Sequence, residues 1–380
     1  MWDRDDGCHR AGTPTWCLAP RGREGRYGRS VAEDATLTVA VTGPTGTFGF
    51  GLIPRLEADP RVGRVVGIAR RPFDPADHGW SKMEYRQGDV RDTDALAEAF
   101  AGADVVVHLA FLITGTASRE VIRDINIGGT LNAFRAAAAA GVTRFVYASS
   151  VAAYGFHADN PVGMTEEWPT RPAHRLFYAQ EKAELEALLD VEAKAHPELG
   201  LYLLRPPIVL GPHAMGGKDL LPGPLEHVGR TVAGAIDRLP FALPVLAPDV
   251  AIQLIHEDDV GQALLLCAVG AGPPGAYNIA ADDVLTGKDI AEELGLNPLP
   301  IPARIVHTAA RGLAALPVPP FVPPVTEWVE AMTHPSVMDT SKAKDVLGWM
   351  PRWSSRGAIR ATLGKPAAGG GPEPDDPAGP

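Results

Sequence analysis

The stretch Thr42 to Gly49, TGPTGTFG, constrains this chain more than any other. It follows an apolar β-type run, Leu37-Thr38-Val39-Ala40-Val41. It leads into Phe50 to Leu56, whose apolar residues recur at helical spacing. Glycines 43, 46 and 49 therefore stand between a predicted strand and a predicted helix. In such a unit Gly43 permits the tight turn, Gly46 lets backbone approach a pyrophosphate, and Gly49 lets the helix pack close to the sheet. The helix N-terminus adds free N–H groups and partial positive charge for the phosphates. The bland alternative is a glycine-rich turn and nothing more; the position after an apolar strand favours dinucleotide binding. Pro54 lies inside the helical stretch and predicts a kink or an early end there.

Beyond this unit, strand-like and helix-like segments alternate. Strands are expected at Val65 to Ala69, Met83 to Tyr85, Asp104 to Leu109, Arg144 to Ser149 and Leu201 to Arg205. Helices are expected at Ala95 to Ala101, Val121 to Ala140 and Tyr178 to Ala195. Apolar strands alternating with helices call for an α/β fold, a doubly wound parallel sheet covered on both faces. Ligands in such folds sit beyond the carboxyl ends of the strands. After Gly211 proline and glycine become dense, which reads as a smaller C-terminal α/β substrate lobe over residues 211–364 with segments returning to the main sheet. The dinucleotide-binding part is then 36–210. Residues 1–35 and 365–380 lack periodicity and read as disordered tails. The proline-rich run Leu316 to Val325 reads as a rigid connector.

The rest of the sequence argues against several classes. A net charge of −11 and a pI near 5.5 argue against nucleic acid or an anionic membrane as partner. No apolar run approaches a membrane span, and no secretory leader is visible. The cysteines, Cys8, Cys17 and Cys267, form no disulfide framework or metal spacing, which fits a reducing cytoplasm. Histidines 108, 157, 213 and 256 and the pair Glu166-Glu167 match no ligand template, so no metal is expected. His108 reads as a satisfied core histidine.

Two sites carry candidate chemistry. Tyr178 and Lys182 form Y-x-x-x-K, one turn apart on one helix face. An ammonium near a phenol favours phenolate, so Tyr178 is a candidate acid/base for a substrate hydroxyl or carbonyl. Ser149-Ser150 ends the preceding strand, where a hydroxyl can hold the reacting oxygen. Each has an ordinary structural alternative, a core tyrosine beside an exposed lysine, or a serine bonding local backbone. Their order along successive βα units after the glycine turn is what makes them specific.

With these residues in view, the sequence resembles the extended short-chain dehydrogenase/reductase superfamily, in its NAD-dependent epimerase/dehydratase branch. The resemblance runs from about Thr38 to Leu363. It rests on TGPTGTFG, GDV at 88–90, VVHLA at 106–110, NIGGTLN at 126–132, YASSVAAYG at 147–155 and YAQEK at 178–182. LRPPIVLGP at 204–212, IHEDDV at 255–260, YNIA at 277–280 and LGW at 347–349 extend it. The resemblance implies a Rossmann domain in which Thr47 and Phe48 touch the pyrophosphate through backbone. Asp89 and Val90 would flank the adenine, and Leu109, Ala110 and Phe111 would line the groove. It also implies that Asn126 braces the sheet and that Pro207 sits by the nicotinamide. By the same resemblance Ser150 would be the catalytic hydroxyl, Tyr178 the acid/base and Lys182 the ribose ligand, and Asp259 would tie the smaller lobe back. Members often form homodimers through the helix containing Tyr178 and the long helix before it.

Cofactor choice reads from the second strand. A carboxylate after it would bind a ribose 2′-OH; here Ala69 is followed by Arg70 and Arg71, which suit a 2′-phosphate. NADP(H) is therefore expected, with NAD as the alternative. Departures from the family narrow the reaction. The Asp-Glu pair of dehydratases is replaced by Val151 and Ala152. Ile208 and Ile252 stand where nucleotide-sugar epimerases grip a diphosphate, which would leave Lys218 or Arg230 to do so. Phe111, Leu112 and Ile113 make the pocket apolar. The reading is an oxidoreductase acting on a small, fairly apolar carbonyl/alcohol pair. The alternatives are a nucleotide-sugar epimerase with bound NAD and a non-catalytic dinucleotide sensor.

Overall fold

β-branched and aliphatic runs too short for helices must pair, and here they pair in parallel. In this computed structural model, described over residues 36–113, 118–214, 244–301, 331 and 333–364, β1 (Leu37–Thr42), β2 (Val62–Ala69), β3 (Met83–Gln87), β4 (Val105–His108), β5 (Arg144–Ala148) and β6 (Gly200–Arg205) lie side by side. A short β7 (Ile208–Leu210) follows, then β8 (Pro244–Pro248), β9 (Leu254–His256), β10 (Gly275–Asn278) and β11 (Asn297–Ile301). The main sheet has seven strands in the order β10-β6-β5-β4-β1-β2-β3, all parallel. The last strand to join comes from beyond residue 211. Two small parallel pairs, β7 with β9 and β8 with β11, stand apart from the sheet.

The helices are α1 (Thr47–Ala58), α2 (Thr93–Phe100), α3 (Arg119–Arg123), α4 (Gly129–Ala139), α5 (Phe177–Ala195), α6 (Glu257–Ala268), α7 (Gly287–Glu293), α8 (Ser341–Leu347) and α9 (Ser355–Thr362). The period-2 pattern of the strands divides the core. Val39 and Val41 face a layer with Leu52, Ile53, Leu56, Val260, Leu264 and Trp349. Ala40 faces the other layer, with Phe100, Phe134, Phe145, Leu185 and Leu189. Both faces are covered, as a parallel sheet requires. The crossovers reverse between β1 and β4, so the crevice at their carboxyl ends is the topological switch point.

Two helical expectations need correction, the early end at Pro54 and the unbroken long helix. α1 runs through Pro54 to Ala58 and is not shortened. Pro54 is exposed while Leu52, Ile53 and Leu56 are buried, so core packing holds the helix across the missing hydrogen bond. The long helix expected from Val121 to Ala140 is interrupted. Between α3 and α4, Asp124–Gly128 forms a π turn, which inserts a residue into the helical register.

α1 and α6 meet backbone to backbone. A Cβ on Gly51 would fall 2.1 Å from the Glu257 carbonyl oxygen, and one on Gly261 would fall 1.9 Å from that of Gly51. Asp259 then fastens the C-terminal segment to α6. Its carboxylate accepts the amides of Arg352 (2.9 Å) and Trp353 (3.0 Å), and the buried indole of Trp349 donates to its carbonyl (2.9 Å). The expectations for residues 1–35, 316–325 and 365–380, and for Lys218 and Arg230, lie outside the described residues. No helix among those described is long and apolar enough to cross a membrane.

Candidate active site

The glycine turn comes first. Gly43 has φ +69°, and a Cβ there would lie 2.9 Å from the amide nitrogen of Ala110. It thus serves both the turn and the approach of the segment after β4. Around Gly46 the nearest heavy atom to an added Cβ is the Gly43 carbonyl at 3.5 Å, so its outer side is open. Gly46 also caps α1 without a side chain, and the first turn holds no acidic residue, which leaves backbone donors for an anion. Gly49 has a different task from the one expected. Its Cβ would strike the Pro44 carbonyl at 1.9 Å, so it closes the turn on itself; the close backbone contact of α1 is made by Gly51, with α6 rather than with the sheet. The Thr47 hydroxyl donates to the His213 carbonyl (3.0 Å), and Phe48 packs against the core.

At the end of β2 the loop is held from β3. The Tyr85 hydroxyl sits on the carbonyls of Ala69 (3.0 Å) and Arg71, and Gln87 donates to the Arg70 carbonyl (3.0 Å). Arg70 and Arg71 are exposed, and among the described residues neither guanidinium has a hydrogen bond or ion pair. Asp89 grips Arg91 through both oxygens, which holds its carboxyl below the usual range. Val90 is buried against Gly129, where a Cβ would lie 2.4 Å from its Cγ2.

A buried relay fixes the ends of β1 and β4. Thr42 Oγ1 accepts the amides of Leu109 (3.2 Å) and Ala110 (3.3 Å), so its own proton goes to His108 Nδ1 at 2.8 Å. Nε2 of His108 is then the protonated nitrogen and donates to Thr130 Oγ1 (3.0 Å) on α4. Burial pushes the His108 pKa down to about 3. The unfolded chain binds a proton near pH 6.5 that the folded chain refuses, so this residue's contribution to stability falls as pH drops below that value. Between about pH 7 and 4.5 the loss is roughly 2–3 kcal/mol. Urea unfolding of wild type and His108→Gln at both pH values should show this excess loss in wild type; equal losses would refute it.

The third group converges beyond β5 and on α5. Ser150 caps the 3₁₀ turn Val151–Tyr154, accepting the Ala152 amide (3.1 Å), and its hydroxyl is hydrogen-bonded to that of Tyr178. Lys182, one turn further along α5, is buried. Its ammonium donates to the Tyr147 hydroxyl (2.9 Å) and the Ala148 carbonyl (2.8 Å). It lies 3.7 Å from the Phe111 ring centroid and 5.8 Å from that of Tyr178. Phe111 meets Tyr178 edge-on at 5.7 Å. Ser150, Tyr178 and Lys182 therefore share one corner. The electrostatics differ from the expectation that the ammonium lowers the phenol. Burial pushes Tyr178 up to about 12 and Lys182 down to about 7, because both charged forms lose water.

Asn126 sits in the π turn. Its Oδ1 accepts the Leu112 amide (2.8 Å), and its Nδ2 donates to the Leu112 carbonyl (3.0 Å) and to Glu181 (2.8 Å). The backbone N–H and C=O of one residue are thereby both fixed, next to the Phe111 whose ring meets Tyr178. Pro207, buried, follows the end of β6. Behind this corner runs a buried polar network that the sequence reading missed. Ser149 donates to Glu186 (2.5 Å), Glu186 pairs with Arg205 (2.5 Å), and Arg205 donates to the Tyr154 hydroxyl (2.7 Å), which donates to Asn278 (2.8 Å). The isolated charges in otherwise apolar segments, Arg205 ending β6 above all, were the signal for it. Among the described residues no cluster of three His, Cys, Asp or Glu could hold a metal.

Comparison with known proteins places this geometry. A Sinorhizobium fredii protein, y4nG, is 30% identical over 357 residues, covering 88% of this chain and 81% of that protein. Sterol demethylase protein B of Methylococcus capsulatus is 31% identical over 228 residues, 57% of this chain and 67% of that protein. The Thermus thermophilus UDP-glucose 4-epimerase, solved in complex with NAD, is 23% identical and shares the fold, with a TM-score of 0.61 over 86% of this chain and 98% of that one. The family model described as NAD dependent epimerase/dehydratase matches residues 39–280, from the first strand through β10. By that match, and by the glycine turn and switch-point crevice that underlie it, the chain belongs to the NAD dependent epimerase/dehydratase family.

Proposed function

We propose that this chain is an NADP(H)-dependent oxidoreductase acting on a fairly apolar carbonyl/alcohol pair. The observation that carries the reading is the shared corner of Ser150, Tyr178 and Lys182 against the apolar wall of Phe111 and Leu112. The residues present fit a dinucleotide: among the described residues the outer side of Gly46 is open, and the one Lys182 donor without a hydrogen bond, now over the Phe111 ring, would turn to a ribose hydroxyl. When bound, the nicotinamide supplies the hydride chemistry. Ser150 then holds the substrate oxygen, and Tyr178 gives or takes its proton. Phe111, Leu112 and Val151 keep water from that corner.

The exposed guanidiniums of Arg70 and Arg71, which have no hydrogen bond or ion pair among the described residues, support NADP(H) over NAD. Calorimetry should show NADPH binding at least ~10-fold more tightly than NADH, and Arg70→Ala/Arg71→Ala should erase the difference. Equal or tighter NADH binding by wild type would decide for NAD. Buried Val151 and Ala152 cannot move protons for dehydration. The name of the Methylococcus relative, which refers to a sterol, supports an apolar ring alcohol as the substrate class. A nucleotide-sugar epimerase is the second reading, favoured by the likeness to the Thermus enzyme. The apolar side chains of Ile208 and Ile252 speak against it, and a thermal shift with UDP-sugars but not with apolar alcohols would speak for it.

A further inference from the structure

The Lys182 ammonium is almost fully buried. The rings of Phe111, Tyr147 and Tyr178 surround it, neutral His108 lies on the β4 side, and its hydrogen-bond partners are uncharged. A buried ammonium needs a countercharge. Two carboxylates on its own helix act on it from a distance, Glu186 and Glu181. Glu186, the stronger of the two, is held in an ion pair with Arg205 and shared with that guanidinium. Glu181 is not. It is 1% exposed, one oxygen accepts from Asn126, and the other is buried and has no hydrogen-bond partner among the described residues. Arg123, the other cation acting on it, is engaged by Glu184 through both guanidinium nitrogens.

Holding Asn126 requires only a neutral acceptor. A buried carboxylate with an unmade hydrogen bond is a costly way to supply one. We propose that Glu181 is a positioning residue whose charge keeps Lys182 an ammonium, while its bond to Asn126 keeps the Phe111-Leu112 segment over that ammonium. This rests on the reading of Lys182 as the ribose ligand. Burial already draws Lys182 down to about 7, close to where a missing countercharge would discharge it under working conditions.

The test is NADPH binding by fluorescence titration from about pH 6 to 9, which requires no substrate. Affinity should fall as Lys182 loses its proton. Glu181→Gln keeps the acceptor for Asn126 and removes the charge. It should move the midpoint of that fall down by roughly one pH unit, with affinity at pH 6 within about two-fold of wild type. Asp190→Asn, which removes an exposed carboxylate from the same helix, should leave the midpoint in place. A Glu181→Gln midpoint equal to that of wild type overturns the inference, whether or not affinity is uniformly lower. Wild-type protein that bound neither NADPH nor NADH would instead overturn the cofactor reading on which it rests.

Discussion

Tyr178→Phe should lower kcat by roughly 10³-fold while leaving NADPH affinity within about two-fold of wild type. The substitution removes one oxygen and little else. The ring still meets Phe111 edge-on, and Lys182 keeps both of its protein partners, neither of which is Tyr178. What disappears is the group that exchanges a proton with the substrate oxygen, together with the hydroxyl that Ser150 orients. Because burial holds Tyr178 at about 12, turnover in the alcohol-oxidising direction should rise with pH over the neutral range in wild type. Stopped-flow measurement of hydride transfer, with a separate fluorescence titration of the cofactor, separates the two effects. A variant with undiminished turnover would remove Tyr178 from the chemistry and leave only the fold.

The second large effect concerns stability. Glu186→Ala should cost about 3–5 kcal/mol, because it strands the Arg205 guanidinium inside the protein. Arg205 is 5% and Glu186 4% exposed, so neither charge can turn to water when its partner is lost. Arg205→Leu should cost a similar amount by stranding the carboxylate. The paired substitution Glu186→Ala/Arg205→Leu should recover much of the loss, since both desolvated charges then go. Denaturant unfolding of the four proteins completes a double-mutant cycle, and additive losses would show the pair to be uncoupled. Ser149 accompanies Glu186, and its neighbour Ser150 caps the turn that faces Tyr178. The single variants should therefore lose activity with stability, and the pair should regain stability more fully than activity.

What could be read from the sequence was what is written locally. The glycine turn, the Y-x-x-x-K spacing and the strand-end serines are short patterns whose physical requirement is met within a few residues. The alternation of strands and helices likewise led to the sheet, including a strand contributed from past residue 211. What escaped were residues whose meaning depends on distant partners. Glu181 and Glu186 look like the polar face of an amphipathic helix, yet both are buried against other elements. Tyr147 reads as strand filler, but its hydroxyl receives the Lys182 ammonium. The π turn left no mark, because its apolar residues fit an ordinary helix equally well. Gly49 was matched with the right turn and the wrong contact, since spacing alone does not say which backbone comes near.

The seam where Gly51 and Gly261 touch has a practical corollary. The nucleotide turn cannot be lifted out as a continuous N-terminal fragment, because the helix that presses on α1 is encoded far downstream. A protein trimmed after β7 would carry a bare stripe of main chain on its first helix and should aggregate. Transplanting this turn onto a new scaffold would mean grafting two separated pieces together.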